Sequence, residues 1–152
     1  MSQASSVVIG DPDGEHIRVA VLRRTRRDSG EYYDDNWLEV RISIRVSGFH
    51  ADYSAALMTS DLASLRDALA RLSGTRPSGR QAGREAWQPV EPWLTLRFEM
   101  DPDGGTVIGR ADDRMVDGNS LSFSLRVAWP TIDTAHDELD VLLIEFPVLG
   151  SP

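Results

Sequence analysis

The groups in this 152-residue chain that could do chemistry are its aspartate clusters, three histidines and scattered serines. Asp34-Asp35 stands before Asn36-Trp37, and Asp112, Asp113 and Asp117 crowd the segment before Gly118-Asn119. Carboxylates brought together can do acid–base work or hold a metal, whereas adjacent aspartates in a polar loop are ordinarily just solvated. His16, His50 and His136 are scattered, and no pair has metal-ligand spacing on one element. They read as surface residues. The chain has no cysteine, which removes thiolate catalysis, disulfides and cysteine-type metal centres. No Gly-x-Ser-x-Gly elbow is present, and Gly104-Gly105 and Gly118 lack the spacing of a phosphate loop. The residues therefore assign no catalytic group, no metal and no cofactor.

Asp-Pro-Asp-Gly occurs twice, at Asp11–Gly14 and Asp101–Gly104. A calcium loop needs a further oxygen ligand before its glycine and a glutamate at position twelve, and neither copy supplies them. Aspartate at i, proline at i+1 and glycine at i+3 suit a type I turn between two strands.

Charge narrows the choice of partner. The chain carries sixteen basic and twenty-four acidic residues, for a net charge of −8, and every basic residue is arginine. Residues 1–76 hold 10 Arg and 11 Asp/Glu; residues 77–152 hold 6 Arg and 13 Asp/Glu. This balance lacks the basic footprint of a phosphate binder and is repelled by an anionic membrane. No run approaches the length of a membrane span, and Met1 to Ser6 show no signal-peptide pattern, so a soluble cytoplasmic protein is expected. Nucleic acid and membrane are not expected partners; a cationic protein is. Arg23, Arg24, Arg26 and Arg27 are expected to answer local carboxylates such as Asp28 and Glu31.

The elements that position these groups follow from periodicity. Leu38, Val40, Ile42, Ile44 and Val46 alternate with polar residues, as in a strand with one wet face. Phe49, Ala51, Tyr53, Ala55 and Leu57 continue the pattern after a Ser47-Gly48 turn. Leu94 to Met100 and Leu121 to Val127 alternate likewise; Ile17 to Leu22, Thr106 to Ala111 and Val7 to Ile9 are weaker strands. Leu62, Leu65, Leu69 and Leu72 share one face of a helix, with Thr59 or Ser60 as its cap and Gly74 just past its end. Ala135, Leu139, Leu142 and Phe146 mark a second helix, capped by Thr134 and stopped by Pro147.

The expected architecture is α+β: one domain over 7–146, with antiparallel sheet of about six to eight strands and two helices on its apolar face. Residues 1–6 and 147–152 are expected to be tails. The Gly/Ser/Pro-rich segment over 73–84 is expected to be a mobile loop. It divides two stretches of similar layout, each opening on Trp-Leu (Trp37-Leu38, Trp93-Leu94) and closing on a helix.

The second helix carries Asp133, Asp137, Glu138, Asp140 and Glu145, and no basic residue lies between Val127 and Pro152. Asp133, Asp137 and Asp140 fall at i, i+4, i+7. This stripe is either a solvated face or a surface that steers a basic partner. With Asp112, Asp113 and Asp117 it makes up the candidate partner-binding set.

Taken in order, several short stretches resemble the WapI-type immunity proteins of bacteria. They are Val8-Ile9-Gly10-Asp11, Ile17-Arg18-Val19, Asp35-Asn36-Trp37-Leu38, Gly48-Phe49, Thr59-Ser60-Asp61-Leu62, Glu91-Pro92-Trp93-Leu94 and Gly118-Asn119-Ser120-Leu121-Ser122-Phe123. The likeness spans about 7–146. Where that family often has an Asp-Gln-Thr-Tyr-Leu-like segment before its last helix, this chain reads Ala128-Trp129-Pro130-Thr131-Ile132. The resemblance implies a non-enzymatic protein that binds the toxic domain of a contact-delivered toxin, often a nuclease, and neutralises it in a stoichiometric complex. Two other readings remain: a regulatory or small-ligand-binding module, and a metal-dependent enzyme built on the aspartate clusters.

Overall fold

In the computed structural model the described residues are 5–26, 29–75 and 83–152. The first half runs β1 (Ser5–Gly10), β2 (His16–Arg24), α1 (Tyr32–Asp35), β3 (Trp37–Val46), β4 (Phe49–Met58) and α2 (Thr59–Thr75). The second runs β5 (Gly83–Trp87), β6 (Leu94–Asp101), β7 (Gly104–Asp112), β8 (Ser120–Val127) and α3 (Trp129–Glu145). The strands form two antiparallel four-stranded sheets, in the orders β1-β2-β3-β4 and β5-β6-β7-β8. The α+β class expected from the sequence is present, but as two sheets of four strands with three helices. Each half is a four-stranded meander closed by a helix, but the two Trp-Leu pairs do not open the halves or occupy equivalent strands: Trp37-Leu38 begins the third strand of the first half, and Trp93-Leu94 leads into the second strand of the second.

Alternation explains the strands. On β3, Leu38, Val40, Ile42 and Ile44 are fully buried while Arg41 and Arg45 are exposed. On β6, Leu94, Leu96, Phe98 and Met100 are buried in the same way. Asp-Pro-Asp-Gly makes turns in both places. The Gly14 N–H donates to the Asp11 carbonyl (3.0 Å), and the Asp13 N–H to the Asp11 carboxylate (2.9 Å). The Asp103 N–H repeats the latter bond with Asp101 (2.9 Å).

The two halves are locked by an exchange of helices. An edge strand leaves N–H groups unpaired, and a sheet edge must be covered or it recruits another strand. α3 lies along β1, the edge of the other half's sheet, and α2 lies against β5. Glu138 of α3 accepts from the Val8 N–H (3.0 Å). The Thr131 hydroxyl accepts from the Gly10 N–H and donates to the Gly10 carbonyl, each at 2.9 Å. Beside β5 the ties are to its end and beyond: Asp61 of α2 accepts from the Val90 N–H (3.1 Å), past the strand, and its own carbonyl accepts the Trp87 indole N–H (2.9 Å). α2 and α3 also pack on each other, and both sheets and both helices share one apolar core.

Several details depart from the sequence reading. α3 begins at Trp129, five residues before the expected cap Thr134, because Pro130 occupies its first turn, where the missing N–H costs nothing. Thr59 does not cap α2; its hydroxyl donates to the Asn36 side chain (2.8 Å). Asp61 instead reaches back to accept the Met58 N–H (2.8 Å), the acidic half of a capping box. Gly74 lies inside α2 and not beyond it. β5 starts within the segment expected to be loop; residues 76–82 of that segment lie outside the described residues, as do residues 1–4 of the expected N-terminal tail. Past α3, the chain is tied by the Leu149 N–H and carbonyl, which bond the Asn36 side chain at 2.8 Å each.

Leu69 is fully buried at the centre of the α2 face. Leu69→Ala is expected to cost roughly 2–5 kcal/mol, read as a lower urea midpoint at unchanged slope.

Candidate functional site

The structure sorts the acidic residues by what already holds them. Asp35, expected to be solvated, is buried and accepts from the Ser29 N–H (2.9 Å), the Ser29 hydroxyl (2.6 Å) and the Gly30 N–H (3.2 Å). Those bonds, the Ser29 hydroxyl first, hold its carboxyl below the ordinary range. Asn36 beside it is wholly buried and joins α1, the start of α2 and the segment after α3. Asp35-Asn36 is thus a structural knot. Arg24 reinforces it by donating to the carbonyls of Asp35 and Pro147, each at 2.6 Å. Arg23 pairs with Glu39 (2.6 Å) and Arg26 with Asp34 (3.3 Å), carboxylates other than the Asp28 and Glu31 expected from the sequence. Arg27 and Asp28 lie outside the described residues.

The α3 stripe is partly engaged by α2. Asp133 accepts from the Ser73 hydroxyl (3.0 Å), and Asp140 faces Arg66 at 3.7 Å. Asp137 remains 81% exposed. His136, Asp137 and Asp140 bring one nitrogen and two carboxylates within 4.8 Å of one another, beside the Arg66 guanidinium. The outward side of α3 is not simply polar: Val141 and Ile144 are 60% and 81% exposed. Val141 and Ile144 thus face outward, with Asp137 one turn ahead of them and Asp140 and Glu145 to either side.

The β7–β8 connection holds the other candidates. Asp112 bonds Arg110 (3.3 Å) and the Ser120 hydroxyl. Asp113 accepts from the Asn119 N–H (2.7 Å), which shapes the loop. Asp117 sits exposed at φ +56°, and Met115 and Val116 are exposed next to it. This loop stands over the beginning of β4, and the two enclose a cleft of about 320 Å³ lined by Phe49, Tyr53, Asp52, Asp113, Asn119 and Leu121 among others. Sequence reasoning found the loop aspartates but not the cleft, because nothing in the periodicity says where one sheet stops covering the other. Tyr53, at its inner end, donates to the Trp93 carbonyl (2.6 Å); burial, then Asp112 and Asp113, push its phenol up.

Charge is distributed by surface and not only by half. The outer faces of the sheets carry arginines answered by acids: Arg41 with Asp52 (2.6 Å), Arg97 with Glu99 (3.7 Å) and Arg110 with Asp112. The excess negative charge sits on α3 and in the connections. Among the described residues, no hydrogen bond or ion pair joins the Asp34-Asp35 pair to the Asp112–Asp117 cluster. No described helix is long and apolar enough to cross a membrane.

Comparison with known proteins adds three findings. The immunity protein WapI-like family matches residues 8–147. No curated protein matches. A solved structure of Trypanosoma bruciei MRP1/MRP2 is similar at 12% identity and a TM-score of 0.46, covering 97% of this chain and 88% of that one.

Asp35 gives a pH test. Its native carboxyl titrates below the unfolded value, so the stability it confers is present above an unfolded pKa of about 3.9 and is lost as pH falls through the lower native value. The gap in urea midpoint between the wild type and Asp35→Asn is expected to be constant near neutrality and to close below about pH 4. Asp61 runs the opposite way, since its burial raises its carboxyl, so the comparison must be made between variants and not on the wild type alone.

Proposed function

The chain belongs to the WapI-like immunity protein family, and from that premise we propose that it binds and neutralises the toxic domain of a contact-delivered bacterial toxin by forming a stoichiometric complex. The observation that carries this reading is the family match across residues 8–147. The surface supports it. Asp113, Arg114 and Asp117 flank exposed Met115 and Val116, and Asp137, Asp140 and Glu145 lie about exposed Val141 and Ile144. Apolar groups among mostly acidic neighbours suit a partner with the reverse arrangement, in which burial supplies affinity and charge supplies on-rate and register.

The reading extends to the partner's chemistry. A toxin domain that cuts RNA or DNA must hold phosphates on a basic surface. An acidic protein seated on that surface blocks substrate without doing chemistry of its own. In this reading Asp112, Asp113, Asp117, Asp133, Asp137 and Asp140 are contact or steering groups, and the protein acts in the cytoplasm, where the delivered domain works.

The test uses the purified chain and the toxin domain encoded beside its gene. A one-to-one complex at submicromolar concentration and protection of toxin-expressing cells are expected; absence of a complex at micromolar concentration contradicts the proposal. Asp137→Lys is expected to leave the melting temperature unchanged, since exposed substitutions stay within about 0.5 kcal/mol. It should slow association several-fold at low salt, with the effect fading as salt is raised.

A further inference from the structure

The cleft between β4 and the β7–β8 loop is the most specific feature that the family assignment does not explain. β4 alternates, so Phe49, Ala51 and Tyr53 point to the same side as the buried Ala55 and Leu57. Coverage fades along that row: Tyr53 is 8% exposed, Ala51 intermediate and Phe49 63%. The start of β4 therefore runs out beyond the opposing sheet with its apolar side bare. Leu121 of β8 and the loop residues Asp113 and Asn119 form the opposite bank.

Asp113 is the acid on the loop bank of the cleft, and no arginine lines it; His50 and Asp52 of β4 alternate to the outer face of their sheet, where Asp52 pairs with Arg41 (2.6 Å). Asp113 Oδ1 accepts from the Asn119 N–H (2.7 Å), and among the described residues no donor reaches its second oxygen. At about 320 Å³ the cleft lies at the small end of the ~300–1,000 Å³ range of ligand pockets, so it fits a side chain better than a large ligand. An occupant must present apolar surface to Phe49, Ala51 and Leu121 and positive charge to the Asp113 carboxylate. An arginine does both, since its stem is apolar and its planar guanidinium stacks on aromatic rings and bonds carboxylates.

We propose that this cleft is the anchor of the toxin interface and receives an arginine side chain projecting from the toxin domain; this rests on the immunity reading above. Interface energy concentrates in a few buried aromatic and arginine contacts, and a pocket of this composition is where such a contact forms.

Two measurements on the full chain separate the anchor from the immunity reading. In the first, toxin-domain affinity is compared for wild type, Asp113→Asn and Phe49→Ala. Asp113→Asn keeps an oxygen for the Asn119 N–H, and Phe49 is exposed, so both variants are expected to melt with the wild type. Each is expected to raise Kd about tenfold or more, the threshold of a strong contact. Wild-type affinity in both variants would overturn the anchor and leave the immunity reading standing. The second titrates isotope-labelled protein with blocked arginine amide and with blocked norleucine amide at millimolar concentration. Saturable shifts at Phe49, Tyr53 and Leu121 with arginine, weaker with norleucine and lost in Asp113→Asn, support the anchor even if no toxin complex forms. Absent shifts, or equal shifts with norleucine, overturn it.

Discussion

Everything in this architecture depends on how the edge strands β1 and β5 are covered by the helix of the other half. A four-stranded meander with one apolar face buries nothing alone and leaves an edge strand with unpaired N–H groups. Here each half's helix crosses to the other half's first strand. Glu138 and Thr131 serve β1, while Asp61 serves the segment that follows β5. Donors of β1 are met from the other half and β5 is covered by α2, so the two meanders close around one core. The acidic residues of the helices are divided by this duty. Glu138 and Asp61 are committed to backbone donors, Asp133 and Asp140 to the contact between α2 and α3, and Asp137 is left facing outward.

That division shapes the functional reading. The surplus of acids in residues 77–152 is not spread evenly, because the outer face of the second sheet holds Arg97 and Arg110 matched with Glu99 and Asp112. Exposed apolar residues stand beside carboxylates in two places, Val141 and Ile144 on α3 and Met115 and Val116 in the β7–β8 loop, where Arg114 is also exposed.

Much of this fold was legible in the chain. β3, β4, β6 and β8 alternate cleanly because each has one wet face, and α2 shows its Leu62, Leu65, Leu69 and Leu72 stripe because one side is wet. β5 was missed because its five residues follow a Gly/Ser/Pro-rich stretch and pair only with β6, which leaves too short a pattern to read. The start of α3 was misplaced because Thr134 offered a plausible cap, while the deciding residue was Pro130, which favours the first turn and forbids later ones. The knot at Asp35-Asn36 was illegible for a different reason. Of its partners only Ser29 is near in sequence, while Thr59 and Leu149 lie 23 and 113 positions from Asn36, and a buried polar residue leaves no periodic trace. The cleft depends on where one sheet ends against another, which is a tertiary fact; the sequence marked only its aspartates.

The central claim is that the acidic, partly apolar surface around the start of β4 and the β7–β8 loop is where this protein meets its toxin. Hydrogen exchange of the chain, free and in complex with the toxin domain, tests it most directly. The account predicts slowed exchange concentrated in residues 49–53 and 111–121. Slowing confined to the arginine-bearing outer faces of β3 or β6 would contradict it.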